Sequence, residues 1–205
     1  MTARVPLPRL AVLLSGGGRT LVNLLEHIRS GSLKATIELV ITSRECLGAQ
    51  RSRDAGLNTL VIPGVIPTAR LGSLLEERRI DWVILAGYLK LIQIPPAFVG
   101  RIVNIHPALL PDFGGPGMYG DRVHEAVIRA GSRTSGCTVH LVDEIYDHGR
   151  ILLQKSCPVL PGDTPHTLAD RVFALECAAY PEALRNLFEH RGTETESPSK
   201  RPTTP

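Results

Sequence analysis

The chain of 205 residues has no apolar run near the roughly 18 residues that a membrane-spanning helix needs. Its 23 Lys and Arg residues are spread among 20 Asp and Glu residues, without the basic cluster that is typical of nucleic-acid binding. The first ten residues also lack the apolar core of a secretory signal. We therefore expect a cytoplasmic protein that has neither a membrane nor a nucleic acid as a partner.

Motifs for metal or disulfide chemistry are missing as well. Cys46, Cys137, Cys157 and Cys177 form no CxxC pair, so we expect reduced single thiols. The histidines other than His106 show no metal-ligand spacing, and no metal site is predicted. These scattered histidines are His27, His124, His140, His148, His166 and His190.

Short apolar runs alternate with helical repeats over the first half of the chain. Residues 10–14 read LAVLL, and apolar residues then recur at helical spacing from Leu21 to Ile28. Further predicted strands cover residues 36–42, 59–62, 82–86 and 102–105, and a helix is predicted at 74–79. This alternation predicts an α/β fold with an open, mostly parallel sheet and helices on both faces.

The pattern changes after Gly136. Residues 137–142 and 150–155 predict two antiparallel strands on either side of an acidic turn, and residues 167–189 predict a long final helix. Residues 191–205 contain no large apolar side chain, so we expect a disordered tail. The predicted organisation is a short extension (1–9), one domain (10–190) and the tail (191–205).

A glycine-rich segment, SGGGRT at residues 15–20, lies between the first strand and the first helix. Its glycines allow a tight turn with outward-facing amides, and the helix N-terminus favours a phosphate. It is not a Walker P-loop, and Leu21 stands where a dinucleotide fingerprint has its third glycine. A simple tight turn is the alternative.

Asn104 and His106 occur at the end of a predicted buried strand. Period two places both side chains on one face, at the edge where open α/β sheets bind ligands. An amide donor beside an imidazole can stabilise an oxyanion and move a proton near neutral pH. A structural histidine is the alternative.

Two loops can complete such a site. A carboxylate from Asp147 close to His106 would raise the pKa of the imidazole, although an ordinary acidic turn is the alternative. Residues 113–120, FGGPGMYG, contain four glycines and are typical of a mobile lid, with an inert surface loop as the alternative.

Four segments in this order resemble one family: SGGGRTLVNLL, LAGYLKLI, NIHPALLP and GCTVHLVDEIYDHGRILLQ. Over about residues 10–187 the chain is similar to the phosphoribosylglycinamide formyltransferase family of folate-dependent enzymes. The resemblance implies a Rossmann-like formyltransferase fold. It also implies formyl transfer from 10-formyltetrahydrofolate to the amino group of glycinamide ribonucleotide in purine biosynthesis, without a metal or a covalent intermediate.

The same resemblance implies roles for individual residues. Asn104, His106 and Asp147 match the catalytic trio: the first two, with the imidazole protonated, would stabilise the oxyanion, and Asp147 would keep His106 charged. The residues that match the ribonucleotide site are Gly18, Arg19, Thr20 and Glu176. Those that match the folate site are Arg70, Leu89, Lys90, Leu91, Ile92, Asn104, Asp143 and Glu144.

The chain departs from the family pattern at a few places. Gly17 replaces the usual Asn, Arg19 replaces a small polar residue, residues 62–79 are shorter, and residues 113–120 are longer and richer in glycine. The expected partners are the two small-molecule substrates, with a monomer or a homodimer as the assembly.

Other functions remain open at this point. Formyltetrahydrofolate hydrolase shares the trio but normally carries an N-terminal regulatory domain, and methionyl-tRNA formyltransferase normally carries an extra C-terminal domain. A non-catalytic sugar-phosphate-binding module is the alternative from a different class. Such a module would bind a sugar phosphate, and replacement of His106 would change no reaction rate.

Overall fold

A computed structural model of the protein describes residues 6–194. Within that range seven strands form one sheet in the order β3-β2-β1-β4-β5-β6-β7. The strands are β1 (Arg9–Leu14), β2 (Thr36–Thr42), β3 (Thr59–Val61), β4 (Trp82–Leu85), β5 (Ile102–His106), β6 (Thr134–Leu141) and β7 (Ile151–Pro158). The helices are α1 (Arg19–Arg29), α2 (Leu47–Asp54), α3 (Thr68–Glu77), α4 (Asp121–Arg129) and α5 (Pro165–Glu194), with a short 3-10 turn at Pro96–Phe98.

The strand directions confirm the predicted fold class. Strands β1 to β5 pair in parallel, whereas β6 runs antiparallel to both β5 and β7. Because β1 lies between β2 and β4, the strand order reverses at β1. In open α/β sheets a ligand crevice forms at such a reversal, outside the carboxyl ends of the strands. The loops after β1, β4 and β5 therefore border the expected crevice.

The sheet separates two apolar clusters. On β1, Leu10, Val12 and Leu14 belong to one cluster, together with apolar residues of α1 and α5. Ala11 and Leu13 belong to the other cluster, which includes apolar residues of α3. Since alternate residues of one strand are buried on opposite faces, the strand reads as a continuous apolar run.

Some element boundaries differ from those predicted. Helix α2 was not predicted because its buried residues are Gly48, Ala49 and Ser52, which give no apolar periodicity. Helix α4 buries only two valines at helical spacing, beside His124, and was also missed. The final helix runs from Pro165 to Glu194, so the domain boundary placed at residue 190 lies inside it. Residues 1–5 of the predicted extension and 195–205 of the predicted tail lie outside the described residues.

Tyr180 of α5 is hydrogen-bonded to the neighbouring strands β4 and β5. Its side chain is fully buried, and its hydroxyl lies 3.0 Å from the backbone oxygens of both Leu85 and Val103. We expect Tyr180→Phe to lower the free energy of unfolding by about 1–2 kcal/mol, because buried carbonyls lose a donor. Urea denaturation should show a lower midpoint with an unchanged slope. Tyr119→Phe, at an exposed ring, should leave the midpoint unchanged, and equal midpoints for Tyr180→Phe and the unaltered protein would contradict the assignment.

Candidate active site

A cavity of about 320 Å³ opens at the carboxyl ends of β1, β4 and β5. It is lined by residues that lie far apart in the sequence, and eleven of the predicted site residues are among them. These are Thr20, Leu89, Lys90, Leu91, Ile92, Asn104, His106, Asp143, Glu144, Asp147 and Glu176. The fold therefore brings the predicted trio, part of the predicted ribonucleotide site and most of the predicted folate site to a single cavity.

Three predicted site residues do not line this cavity. Gly18 is the N-cap of α1 and Arg70 is an exposed residue of α3. The guanidinium of Arg19 stacks on the ring of Phe173 at 3.7 Å, and its Nη1 lies 3.7 Å from Asp170. Arg19 is thus directed at helix α5, and the binding roles of these three residues stay predictions.

The predicted trio is assembled in space. Asn104 and His106 lie on one face of β5, as period two requires, and Asp147 arrives from the turn between β6 and β7. The Nδ1 atom of His106 lies 3.4 Å from Oδ2 of Asp147, and the Nδ2 atom of Asn104 lies 3.5 Å from Oδ1. One carboxylate therefore contacts both of the other groups.

His106 is flanked by acceptors on both sides of its ring. Its Nε2 donates to the backbone oxygen of Phe113 at 2.8 Å, whereas Nδ1 faces the Asp147 carboxylate. A neutral ring has only one N–H, so only the charged ring donates to both neighbours.

The expected rise in the pKa of His106 is not observed. Burial lowers the pKa below its ordinary value, and this effect outweighs the opposing charge of Asp147. The ring is only 3% exposed, which explains why the loss of solvation dominates. Asp147 limits the fall in the pKa instead of producing a net rise.

Asp147 itself is held in the ionised form. Burial alone would raise its pKa, but His140, the charge of His106 and the backbone N–H of Gly115 together lower it. The Gly115 N–H donates to Oδ2 at 3.0 Å. A buried carboxylate with several donors around it stays ionised at neutral pH.

His140 belongs to the site, although it was grouped with the scattered histidines. Strand pairing places it directly opposite Asn104, and its Nε2 lies 3.2 Å from the Asn104 amide and 3.6 Å from Asp147. Its Nδ1 donates to the backbone oxygen of Leu141, which leaves Nε2 between the Asn104 amide and the Asp147 carboxylate. In the sequence, its position within the apolar run 137–142 indicated that His140 is buried. That it lies opposite Asn104 follows only from the register of β5 and β6.

A buried network fixes the turn that follows His106. The Thr138 hydroxyl donates to the backbone oxygen of Ala108 at 2.7 Å and accepts from the Leu110 N–H at 3.0 Å. Gln154 donates to the Leu110 oxygen at 2.9 Å. Strands β6 and β7 thereby hold the end of β5 and the turn after it.

The glycine-rich segment 113–120 is attached to the trio at its beginning. Phe113 accepts from His106 and Gly115 donates to Asp147. A Cβ atom on Gly114 would lie 2.6 Å from a Leu110 methyl carbon and 3.2 Å from Cβ of Asp147, so a side chain there would displace Leu110 and press on Asp147. Its predicted behaviour as a lid stays a prediction.

Glu176 of α5 and Thr20 of α1 both line the cavity. Burial raises the pKa of Glu176 from 4.5 to about 7, and the charge of Arg19 opposes this effect. The carboxyl group therefore titrates in the physiological range, and a polar ligand can bind its charged or its neutral form.

Apolar side chains surround the mouth of the cavity. Leu89 is 50% exposed and Ile145 is 60% exposed, and Leu91 and Tyr146 are exposed nearby. Backbone segments 87–92 and 142–147 run between them. Apolar walls combined with backbone hydrogen-bonding groups are typical of small-molecule binding sites.

The described part of the chain contains neither a metal-binding cluster nor a membrane-spanning helix. Within 6–194, no group of three or more His, Cys, Asp or Glu side chains is arranged to hold a metal ion. In the same range, none of the helices combines the length and the apolar character needed to span a membrane.

Comparison with known proteins gives consistent matches. The formyl transferase family matches residues 8–184. Phosphoribosylglycinamide formyltransferase, chloroplastic, from Arabidopsis thaliana is 43% identical over 194 residues, covering 89% of this chain and 66% of that protein. The chain thus spans just under two thirds of that relative. The trifunctional purine biosynthetic protein adenosine-3 of Drosophila melanogaster is 38% identical over 203 residues, covering 93% of this chain and 14% of that protein.

Solved structures agree with the sequence matches. Glycinamide ribonucleotide transformylase 1 from Symbiobacterium toebii has a TM-score of 0.83 and 37% identity, covering 90% of this chain and 89% of that one. The fold, the extent of the family match and these relatives agree with one another. The chain belongs to the formyl transferase family, in the group of the phosphoribosylglycinamide formyltransferases.

Proposed function

We propose that this chain transfers the formyl group of 10-formyltetrahydrofolate to the amino group of glycinamide ribonucleotide, a step of purine biosynthesis. The observation that supports this most directly is the cavity that holds Asn104, His106 and Asp147 between two chemically different ends. The names of the relatives support the same acceptor and the same pathway.

The two ends of the cavity suit the two substrates. At one end, Thr20 and Glu176 lie beside the glycine-rich turn and the N-terminus of α1, which favour a phosphate and a ribose. At the other end, exposed Leu89 and Ile145 with their backbone segments suit a pterin ring. The trio between them is where an amine and a formyl group would meet.

Each member of the trio has a chemical task in this proposal. 10-Formyltetrahydrofolate supplies the formyl carbon. The amine nitrogen of the ribonucleotide bonds to that carbon, the carbon–nitrogen bond to the folate then breaks, and the folate nitrogen takes a proton from His106 as it leaves. Asn104 can donate an amide hydrogen to the formyl oxygen, and His106 can donate one as negative charge develops there. Because the Nε2–H of His106 is donated to Phe113 in this structure, that carbonyl and the formyl oxygen compete for the same hydrogen. Asp147, ionised, stabilises the charged imidazole and takes up the proton that the amine loses, directly or through water.

The deciding experiment monitors release of tetrahydrofolate from 10-formyltetrahydrofolate by absorbance, with and without glycinamide ribonucleotide. Release that needs the ribonucleotide supports the transferase. Release without it indicates a hydrolase, and no release in either mixture contradicts both enzymatic functions. Affinity for ribose 5-phosphate without any turnover would leave the sugar-phosphate-binding module.

Glu176 gives this proposal a pH dependence. If ribose hydroxyls donate to its carboxylate, only the ionised form binds well, and protons compete below the pKa of about 7. We expect the KM for the ribonucleotide to rise about tenfold between pH 8 and pH 6. In Glu176→Gln the KM should be higher at pH 8 and should change less with pH.

The substrate phosphate titrates near pH 6, so the comparison of the two proteins isolates the contribution of Glu176.

The burial of Glu176 also predicts an effect on the free energy of unfolding. A folded pKa above 4.5 means that the folded state binds the proton more tightly, so stability falls as pH rises from about 4.5 to about 7. Glu176→Gln should therefore raise the free energy of unfolding at pH 8 by about 3 kcal/mol. Parallel KM profiles for the unaltered protein and the variant would contradict the role of Glu176.

A further inference from the structure

The carbonyl groups of the glycine-rich turn are bound one after another from the same side. The Nε of Arg44 donates to the oxygen of Ser15 at 2.9 Å, and the backbone N–H of Gly48 donates to the oxygen of Gly16 at 3.0 Å. Farther along, Nη1 of Arg51 donates to the oxygen of Gly17 at 2.7 Å. All three donors come from helix α2 or the residues just before it.

Fixing a carbonyl also fixes the amide that follows it. In a trans peptide, C=O and the next N–H lie in one plane and point in opposite directions. With the oxygen of Gly17 bound by Arg51, the N–H of Gly18 is directed away from the Arg51 guanidinium. The bonds to the oxygens of Ser15 and Gly16 do the same for the N–H groups of Gly16 and Gly17. Three successive donors are thus oriented as a set, next to the free N–H groups of the first turn of α1.

Close backbone packing leaves little freedom between the two segments. Gly18 has a φ of +73°, and a Cβ atom there would lie 2.7 Å from the Cα of Gly48. A Cβ atom on Gly48 would lie 2.7 Å from the oxygen of Gly16 and 2.5 Å from a methyl carbon of Leu14. The turn and α2 therefore touch backbone to backbone, and Arg51 is the side chain that reaches the end of the turn.

We propose that Arg51 is a positioning residue for the phosphate of the ribonucleotide, with Arg44 supporting it. By holding the Gly17 carbonyl, Arg51 orients the Gly18 N–H for the phosphate before the substrate binds. Its positive charge also favours an anion next to the turn. This inference rests on the proposed function for the identity of the substrate, and it adds residues that the sequence did not indicate.

The neighbouring arginine of the same helix provides a matched control. Arg53 is exposed and forms an ion pair with Glu45, on the surface of the molecule. It carries the same charge on the same helix, but its recorded bonds are to Glu45 and none of them is to the turn. A general loss of positive charge would therefore affect Arg51→Ala and Arg53→Ala equally, whereas loss of the Gly17 contact affects only the first.

The test compares Arg51→Ala, Arg51→Lys and Arg53→Ala in calorimetric binding of ribose 5-phosphate and in steady-state kinetics. For Arg51→Ala we expect about tenfold weaker binding and an about tenfold higher KM for the ribonucleotide, because a charge-assisted bond that orders the turn is lost. Its kcat and its KM for 10-formyltetrahydrofolate should stay within about threefold. Arg51→Lys keeps a charged donor and should recover most of the affinity, and Arg53→Ala should bind like the unaltered protein. Circular dichroism and thermal unfolding check that each variant is folded.

Several results would overturn the inference. They are equal affinity of Arg51→Ala and the unaltered protein for ribose 5-phosphate, equal losses in Arg51→Ala and Arg53→Ala, and a fall in kcat with no change in either KM. Failure of formyl transfer in the unaltered protein would contradict the proposed function alone, since the binding of ribose 5-phosphate still decides the role of Arg51. Absence of ribose 5-phosphate binding to the unaltered protein would overturn the inference itself.

Discussion

Asp147→Asn is expected to lower kcat about a thousandfold, with changes of less than about threefold in both KM values. The substitution keeps the size of the side chain but removes the charge that faces His106 and His140 at 3.4 and 3.6 Å. Asn also suits the backbone, because residue 147 has a φ of +54° and Asn adopts this left-handed region more readily than most residues. The loss can therefore be assigned to the missing charge and not to strain in the turn.

In the same variant we expect the pKa of His106 to shift. Burial lowers the pKa of His106 and the charge of Asp147 opposes that effect, so removing the charge should lower the pKa further. At a given pH near neutrality, less of the ring is then protonated. NMR titration of the His106 ring in the unaltered protein and in Asp147→Asn measures this directly.

Asp112→Asn is the control for this variant, since Asp112 is exposed and does not line the cavity. Its kcat should equal that of the unaltered protein. If Asp147→Asn kept more than about a tenth of the activity, the assignment of Asp147 as a proton acceptor would be wrong.

The fold could be predicted from the sequence because each buried parallel strand is a short, continuous run of apolar residues. Strand β1 buries alternate residues in two different clusters, so residues 10–14 are all apolar and no helical period fits. Helix α2 has no such pattern, because it packs through Gly48, Ala49 and Ser52 against a backbone turn. Close backbone contact depends on small residues, and small residues carry no hydrophobic periodicity. The same helix holds Arg51, which is why the positioning role was not visible in the sequence.

The part of the candidate site that lies on a single strand could be predicted from the sequence. Asn104 and His106 share a face because the period of a strand is two. His140 could not be assigned in this way, since its position opposite Asn104 depends on the antiparallel register of β5 and β6. Asp147 lies 41 positions after His106, and their distance of 3.4 Å results from the turn between β6 and β7.

The direction in which the pKa of His106 is shifted shows a second limit of prediction from the sequence. A neighbouring carboxylate predicts a rise in the pKa of the imidazole, and the Asp147 carboxylate is present at 3.4 Å. Burial acts in the opposite direction and is the larger effect, but the depth of a side chain depends on everything packed around it. Phe113 accepts a hydrogen bond from the ring here, and this contact could not be inferred from residue spacing.

His106→Ala is expected to lower kcat by at least about a thousandfold, because it removes the group that donates to the formyl oxygen. Binding of tetrahydrofolate should be largely kept, since the pterin end of the cavity is formed by other residues. His166→Ala, at an exposed residue of α5, should have the activity of the unaltered protein. The imidazole is buried, so thermal unfolding must show that His106→Ala is folded before its kcat is interpreted. A folded His106→Ala with full activity would contradict the mechanism and favour a binding role for the cavity.

The double variant His106→Ala/Asp147→Asn tests whether the two residues act as a unit. If Asp147 works mainly by stabilising the charged imidazole, its removal matters little once His106 is absent. The double variant should then lose less than about tenfold more activity than the more impaired single variant. Independent roles would multiply the two losses, to about a millionfold. Multiplied losses would mean that Asp147 takes the proton of the amine without the help of His106, and the contact of 3.4 Å between them would then serve structure and not catalysis.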